Sequence, residues 1–174
     1  MSPVRPADPA DAPVMQQIER LAGERFREIG MPDIADDEPM SLTELRDYAD
    51  AGRAWVVTDD GGSLVGFALV DLIEGCAHLE EIAVSRDAQG QGLGRRLLDH
   101  VADWAREQAM PAVTLTTFRD VSWNGPYYER QGFRILAAAE LTPGLIERRA
   151  AEAAHGLAPD ARVCMRLDLA TTGC

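Results

Sequence analysis

Apolar residues along the chain repeat at two periods, and the switches between them predict the order of elements. Val4 and Arg5 open a short edge strand. From Asp11, read as an N-cap, Val14, Ile18, Leu21, Ala22, Phe26 and Ile29 keep a helical spacing until Gly30 stops it. The polar stretch 31–39 predicts a loop. Ser41 and Glu44 have the spacing of a capping box and open a second helix with Leu42, Leu45, Tyr48 and Ala49, closed by Gly52. A meander of three antiparallel strands follows over 54–58, 64–73 and 77–84, with Asp60, Gly61 and Gly62 turning between the first two.

Helical spacing returns from Gly92 to about Gln108, with Leu93, Leu97, Val101, Trp104 and Ala105 inward and Arg96, Asp99, Asp103, Arg106 and Glu107 outward. Val113 to Phe118 predicts a strand parallel to the third across this helical crossover. A short helix then opens at Asn124, residues 134–141 read as a strand, Thr142 and Pro143 start a helix running towards Gly156, and 163–169 closes the sheet. The pattern describes one α/β (α+β) domain over residues 1–174, its core at about 3–170, with a mixed central sheet and helices on both faces. No internal repeat or linker interrupts it.

The stretch 79–98, LEEIAVSRDAQGQGLGRRLL, places a strand, a glycine-rich turn and a helix start in succession. Glycines let backbone N–H groups approach an anion, and a helix start offers unpaired donors and a positive dipole end. That is the layout of a phosphate cradle. Two common phosphate fingerprints fail here: counting from Gly90, the third glycine of G-x-G-x-x-G should stand at 95, which is Arg95, and no Gly-Lys-Ser or Gly-Lys-Thr occurs.

What fits is Gln89-x-x-Gly92-x-Gly94, which resembles the Gln/Arg-x-x-Gly-x-Gly/Ala motif of GNAT-family N-acetyltransferases. Farther on, the run from Trp123 to Phe133 resembles the second signature of that family: Asn124 opening a helix, and Tyr128 four residues before Gly132-Phe133. Locally, Asn124 can N-cap, Pro126 is tolerated in a first turn and Gly132 can turn left-handed past the helix end. The resemblance covers roughly residues 3 to 170. It implies a single-domain GNAT fold whose sheet carries a splayed pair of strands, and acetyl-CoA as co-substrate, with Gln89, Gly90, Gln91, Gly92, Leu93, Gly94 and Arg95 around its pyrophosphate. Its pantetheine arm would lie along Ile82, Ala83 and Val84, with Asn124 and Tyr128 also contacting it. Val84 would end its strand in a bulge and offer its N–H to the thioester carbonyl. Tyr128 would protonate the departing thiolate, against the alternative of a packed core aromatic; Asn124 can contact coenzyme, N-cap, or do both.

The reaction so implied, acetyl transfer from the thioester to an amine, needs a base. An amine of pKa near 10.4 is neutral in only about one molecule per thousand at pH 7. Strand alternation places His78, Glu80, Ile82 and Val84 on one face, and Glu80 is the first candidate for general base, directly or through water, with His78 second. The arylalkylamine branch of the family has His-x-His where this chain has His78 and Glu80. The competing account makes Glu80 a solvent-facing or structural carboxylate and His78 a satisfied strand residue.

Composition narrows the classes further. A net charge of −12 disfavours nucleic acid and anionic membrane, leaves Arg86, Arg95 and Arg96 to hold phosphates locally, and suits a cationic acceptor or simply a soluble surface. Cys76, Cys164 and Cys174 are odd in number and widely spaced, which argues against disulfides, and neither a metal site nor a Ser-His-Asp or Cys-His nucleophile scheme is legible. Direct attack in a ternary complex is the expectation. No secretory h-region is visible in MSPVRPADPADAP, so a cytoplasmic location is expected. The family's acceptor region would involve the loop 33–40, with Asp36, Asp37 and Glu38, and the segment 141–162. The acceptor, a small-molecule amine or a peptide or protein N-terminus, is left open, as is a homodimer. A non-catalytic acyl-CoA-binding sensor or interaction module is the alternative function.

Overall fold

The computed structural model describes residues 3–170. In chain order the regular elements are β1 (Val4–Pro6), α1 (Ala12–Gly23), α2 (Arg25–Glu28), α3 (Pro32–Ala35), α4 (Leu42–Asp50), β2 (Ala54–Thr58), β3 (Leu64–Ile73), β4 (Cys76–Val84), α5 (Leu93–Glu107), β5 (Ala112–Phe118), α6 (Gly125–Arg130), β6 (Arg134–Ile135), α7 (Pro143–Ala154) and β7 (Arg162–Asp168). The seven strands form a mixed sheet in the order β1-β2-β3-β4-β5-β7-β6. β1 and β2, β2 and β3, β5 and β7, and β6 and β7 pair antiparallel; β4 and β5 pair parallel. This is the expected α/β class. The chain falls into two compact units, one running to Val70 and resuming over Glu81–Val101, the other made of Asp71–Glu80 and the chain from Ala102 onward.

In the first unit, Ala12, Met15 and Ile18 of α1 and Leu45 of α4 close over Ala54, Val56, Phe67, Leu69 and Ala83. Met15, Leu45 and Phe67 are fully buried, and side chains of this size stabilise by roughly 1.5–3 kcal/mol each. Because successive strand residues point to opposite faces, Trp55 lies on the other side of β2, edge-on to His100 of α5 with ring centroids 5.6 Å apart. Helices therefore cover both faces of this part of the sheet.

The start of α1 differs from expectation. Asp8, and not Asp11, is the cap: its carboxylate accepts from Ala10 N at 2.8 Å while Asp11 Oδ2 accepts from Asp8 N at 2.8 Å, a reciprocal box around a 3-10 turn at Pro9–Asp11. Asp11 is also paired with Arg5, which leaves it nothing for the helix. The helical run to Gly30 breaks after Gly23 and restarts as α2. The expected loop 31–39 contains α3, with Pro32 preset for a first helical turn. At α4 the expected box holds, with Ser41 Oγ accepting from Glu44 N and Glu44 accepting from Ser41 N.

In the second unit, β3 and β4 join through Glu74 and Gly75, both at positive φ (50° and 79°), the conformation of a tight two-residue hairpin. β4 and β5 pair at Ala77↔Val113 and His78↔Thr114 and at no further position among the described residues, although both strands continue: the pair is splayed. The expected strand over 134–141 is a correction. Only Arg134 and Ile135 pair with β7, because Glu140 folds back to accept from Ala137 N at 2.8 Å and from Arg134 Nη1 at 2.7 Å, winding a 3-10 turn. Leu145 of α7 then packs with Leu136, Cys164, Ile73 and Leu141.

Candidate active site

The residues on which the chemistry is expected fall into two clusters. The first, in the first unit, is the turn after β4. Ala83 is buried in the helix-covered core, so Ile82 and Val84 face the opposite way, half-buried. A 3-10 turn at Arg86–Ala88 follows, then Gly90 and Gly92 at φ 78° and 75°, then the first residue of α5, Leu93, anchored in the core. No atom lies within 4 Å of a Cβ built on either glycine, so backbone conformation and not crowding demands glycine here. Gly94 sits inside the helix. The first N–H groups of α5 have no intrahelical acceptor, and its dipole adds positive potential. Gln89 donates through Nε2 to Val84 O at 3.2 Å, tying the turn to the strand end, while the Gln91 amide reaches Asp87 O at 3.5 Å. Arg95 pairs with Asp99 at 3.5 Å and Arg86 with Glu28 at 2.8 Å; both pairs are exposed and open to exchange. The irregularity in the described strand register falls between Val57 and Thr58.

The second cluster lies wholly in the other unit. Gly125 opens α6 against the end of β5: a Cβ there would collide with Arg119 O and come within 3.0 Å of Phe118 O. That close approach fixes where Tyr128, one turn on, is placed. Tyr128 is buried, edge-on to Tyr127 at 5.2 Å and to Phe133 at 5.6 Å, and Gly132 takes φ 96° to end the helix and return Phe133 to it. Asn124 corrects the capping expectation. It precedes α6 but makes no side-chain cap bond, and its Oδ1 is buried with no hydrogen-bond partner. A buried carbonyl oxygen of this kind costs about 1–3 kcal/mol unless something donates to it.

Across β4, His78 and Glu80 differ sharply. His78 is 1% exposed, its Nδ1 stands 2.9 Å from Thr114 Oγ1, and burial with the nearby Arg148 charge depresses its pKa to about 4. It is a neutral imidazole with a strand partner. Glu80 is half-buried and meets Arg148 Nη1, whose Nη2 reaches Asp71 at 2.7 Å. Burial, then the negative charges of Asp71 and Glu152, outweigh the guanidinium and push Glu80 up to about 7. A carboxylate exchanging its proton near neutrality is matched to work as a base. Next to it, Glu152 accepts from Thr116 Oγ1 and from Arg162, and Arg162 stacks 4.7 Å over the Phe118 ring.

Of the expected residues, His78, Glu80, Asn124 and Tyr128 share the second unit and the 82–95 set shares the first. Asp71, Thr114, Thr116, Arg148, Glu152 and Arg162 escaped the sequence reading. One signal was present: Leu145, Arg148 and Glu152 fall on one stripe of α7, so two charges follow a core leucine inward. In the expected acceptor loop, Asp36 is held by Arg27, which keeps its carboxyl below the usual range, so it is not a free charge. Glu19 accepts from Met40 N while Gln16 donates to Met40 O, gripping the loop's end. Cys76 and Cys164 are free and buried, and burial pushes the Cys164 thiol up, away from nucleophilic use. Among the described residues no group of His, Cys, Asp or Glu has a metal-binding arrangement, and no helix is long and apolar enough to cross a membrane.

Comparison of the fold finds N-acetyltransferases. N-acetylglutamate synthase from Neisseria gonorrhoeae, crystallised with coenzyme A and N-acetyl-glutamate, superposes with TM-score 0.74 at 22% identity over 98% of this chain, which spans 35% of that longer one. The ribosomal-protein-S18-alanine N-acetyltransferase from Escherichia coli superposes with TM-score 0.68 at 21% identity, covering 99% of this chain and 97% of the other. By sequence, the IAA acetyltransferase of Azospirillum brasilense is 27% identical over 71% of this chain and 80% of its own. The family model for the acetyltransferase (GNAT) family matches residues 15–133, well over half the chain, and the chain belongs to that family.

Proposed function

We propose that this enzyme is a single-domain N-acetyltransferase that uses acetyl-CoA, with Glu80 as general base and Tyr128 as general acid. The observation that carries the reading is Glu80 itself: a half-buried carboxylate on the splayed strand, beside an arginine, with its proton affinity raised to about 7. The chain's own groups fit the coenzyme. Gly90 and Gly92, both at positive φ, support an anion cradle at the start of α5, and Asn124 offers a buried oxygen that lacks a donor. The backbone of Ile82, Ala83 and Val84 and the turn from Gln89 to Arg95 would hold it. When bound, it supplies an acetyl group activated as a thioester.

Glu80 would take a proton from the acceptor ammonium, directly or through water, and the freed nitrogen lone pair would bond to the thioester carbonyl carbon. The Val84 N–H would donate to the carbonyl oxygen where negative charge grows. As the C–S bond breaks, Tyr128 Oη would deliver a proton to the leaving sulfur, giving the free thiol, and would regain one from the remaining N–H proton that amide formation releases; the thiolate, of pKa near 8.5, is a weaker base than phenolate near 10, so close approach must help. His78, closed off against Thr114 and depressed to about 4, supports the strand in this scheme. The acceptor is an amine, small or peptide-borne; related enzymes are named for streptothricin and for peptidyl lysine, which supports that breadth without choosing within it. The unpaired Cys76 and Cys164 support a reducing, cytoplasmic setting.

The test is a thermal-shift titration with acetyl-CoA followed by mass spectrometry of amines and N-terminal peptides incubated with enzyme and coenzyme. A ligand at 100 times its dissociation constant adds about 2.7 kcal/mol, so stabilisation and an acetylated product are expected. Stabilisation without any acetylated amine would favour a non-catalytic acyl-CoA-binding module instead.

A further inference from the structure

Resting on the assignment of Glu80 as base, the geometry points to a further residue for the reaction: we propose that Arg148 is the positioning residue of that base, gripping Glu80 and Asp71 in one guanidinium fork, with Asp71 acting on Glu80 in the opposite sense. The fork is built. Arg148 Nη1 is on Glu80, Arg148 Nη2 is 2.7 Å from Asp71 Oδ2, and the three side chains are each about one-quarter exposed or less screened than a surface pair, at 25% for Arg148, 27% for Glu80 and 21% for Asp71. The planar guanidinium places one nitrogen on each carboxylate and so fixes the two relative to one another, which a lysine point charge does not.

The fork is also aimed by the fold. Gly144 N donates to Glu74 Oε1 at 3.1 Å, and a Cβ at Gly144 would collide with Ile73 and Glu74, so the β3–β4 hairpin and the first turn of α7 are in close contact. Thr142 caps the same turn through Leu145 N. Leu145 anchors the stripe, and Arg148 comes one turn later.

Asp71 of β3 and Glu152 of α7 raise the proton affinity of Glu80 and Arg148 of α7 lowers it; His78 on its own strand is neutral near pH 7. Arg162 of β7 is engaged by Glu152 and Thr116, and Arg149 donates to the carbonyls of Pro159 and Arg162. Burial first, then the two carboxylates, raise the proton affinity of Glu80, and the Arg148 cation opposes them, so the base is ionisable near neutrality. Without Arg148, Glu80 keeps its proton to higher pH; without the Asp71 charge, it loses it at lower pH.

The experiment is a carbon-13 NMR titration of the Glu80 side-chain carboxyl in the full chain, assigned with Glu80→Gln. It is run on wild type, Arg148→Gln, Arg148→Lys and Asp71→Asn, alongside kcat/KM against pH with acetyl-CoA and the best acceptor from a panel of primary amines. Expected are a midpoint raised by about one unit or more in Arg148→Gln, a smaller rise in Arg148→Lys, and a fall in Asp71→Asn. Arg148→Lys and Asp71→Asn carry the test if Arg148→Gln does not fold. Unmoved midpoints in the folded variants would overturn the proposal. Midpoints that move while the acid limb of kcat/KM stays put would instead show that Glu80 is not the base, which removes the reading beneath the proposal and leaves the fork's hold on Glu80 standing.

Discussion

His78 Nδ1 and Thr114 Oγ1 meet at 2.9 Å on the last described rung of the ladder between β4 and β5, so the buried His78 is partnered within the sheet while Glu80, two residues on, meets Arg148. His78 is depressed from 6.5 to about 4, Glu80 raised from 4.5 to about 7. Between about pH 4 and 6.5 the unfolded chain binds a proton at His78 that the folded chain refuses, so this contribution is present above 6.5 and lost as pH falls, a swing of at most about 3 kcal/mol. Between 4.5 and 7 the folded chain holds a proton at Glu80 that the unfolded chain releases, so that contribution is present below 4.5 and lost as pH rises. The two oppose each other. Urea unfolding across pH 4 to 7 should therefore show a steeper rise of stability with pH in Glu80→Gln than in wild type; equal slopes would contradict the assignment of the two shifts.

Tyr128→Phe keeps the two edge-on ring contacts and removes only the hydroxyl. Turnover should fall about 10²-fold, with coenzyme affinity little changed. Steady-state kinetics and calorimetry separate these; a matching drop in melting temperature would mark the hydroxyl as structural.

Gly92 has an open surround and φ 75°, which asparagine tolerates better than most side chains. Gly92→Asn and Gly92→Asp place similar shapes at the start of α5 and differ by one charge. Coenzyme binding by calorimetry should be weaker in the aspartate variant by about tenfold or more, since a carboxylate competes there with phosphate. Equal affinities would move the phosphates elsewhere.

Asn124→Ala removes a buried oxygen that has no partner and no capping bond to lose. The free enzyme should keep or slightly gain stability, while coenzyme affinity drops by about 1–3 kcal/mol, the scale of one buried hydrogen bond. A loss of stability without loss of affinity would restore Asn124 to a capping role.

How much of this was legible in the sequence depends on how far apart the interacting residues lie. The Ser41–Glu44 box, the left-handed Gly132 and the bounds of β2 and β3 follow from neighbours a few positions apart, and the structure has them as expected. Asp8 took the cap from Asp11 because Arg5 had claimed the latter, and the strand at 134 stopped early because Glu140 turned back on Arg134. Both are competitions between local partners that periodicity does not weigh. Glu80 was legible as a candidate from strand alternation and family resemblance. Its partners were not: Arg148 lies 68 positions from Glu80 and 77 from Asp71, and only the fold brings them together. The inward face of α7 was the one available hint, two charges where an amphipathic helix places apolar residues.

The most direct test of acetyl transfer at Glu80 is amine-dependent release of thiol from acetyl-CoA, followed for wild type and Glu80→Gln across pH 5 to 9. The account predicts release that requires an amine, rises in wild type through an acid limb near the Glu80 midpoint of about 7, and is both slower and without that limb in Glu80→Gln. An identical limb and rate in the two proteins, or coenzyme bound with no amine-dependent release at all, would contradict it.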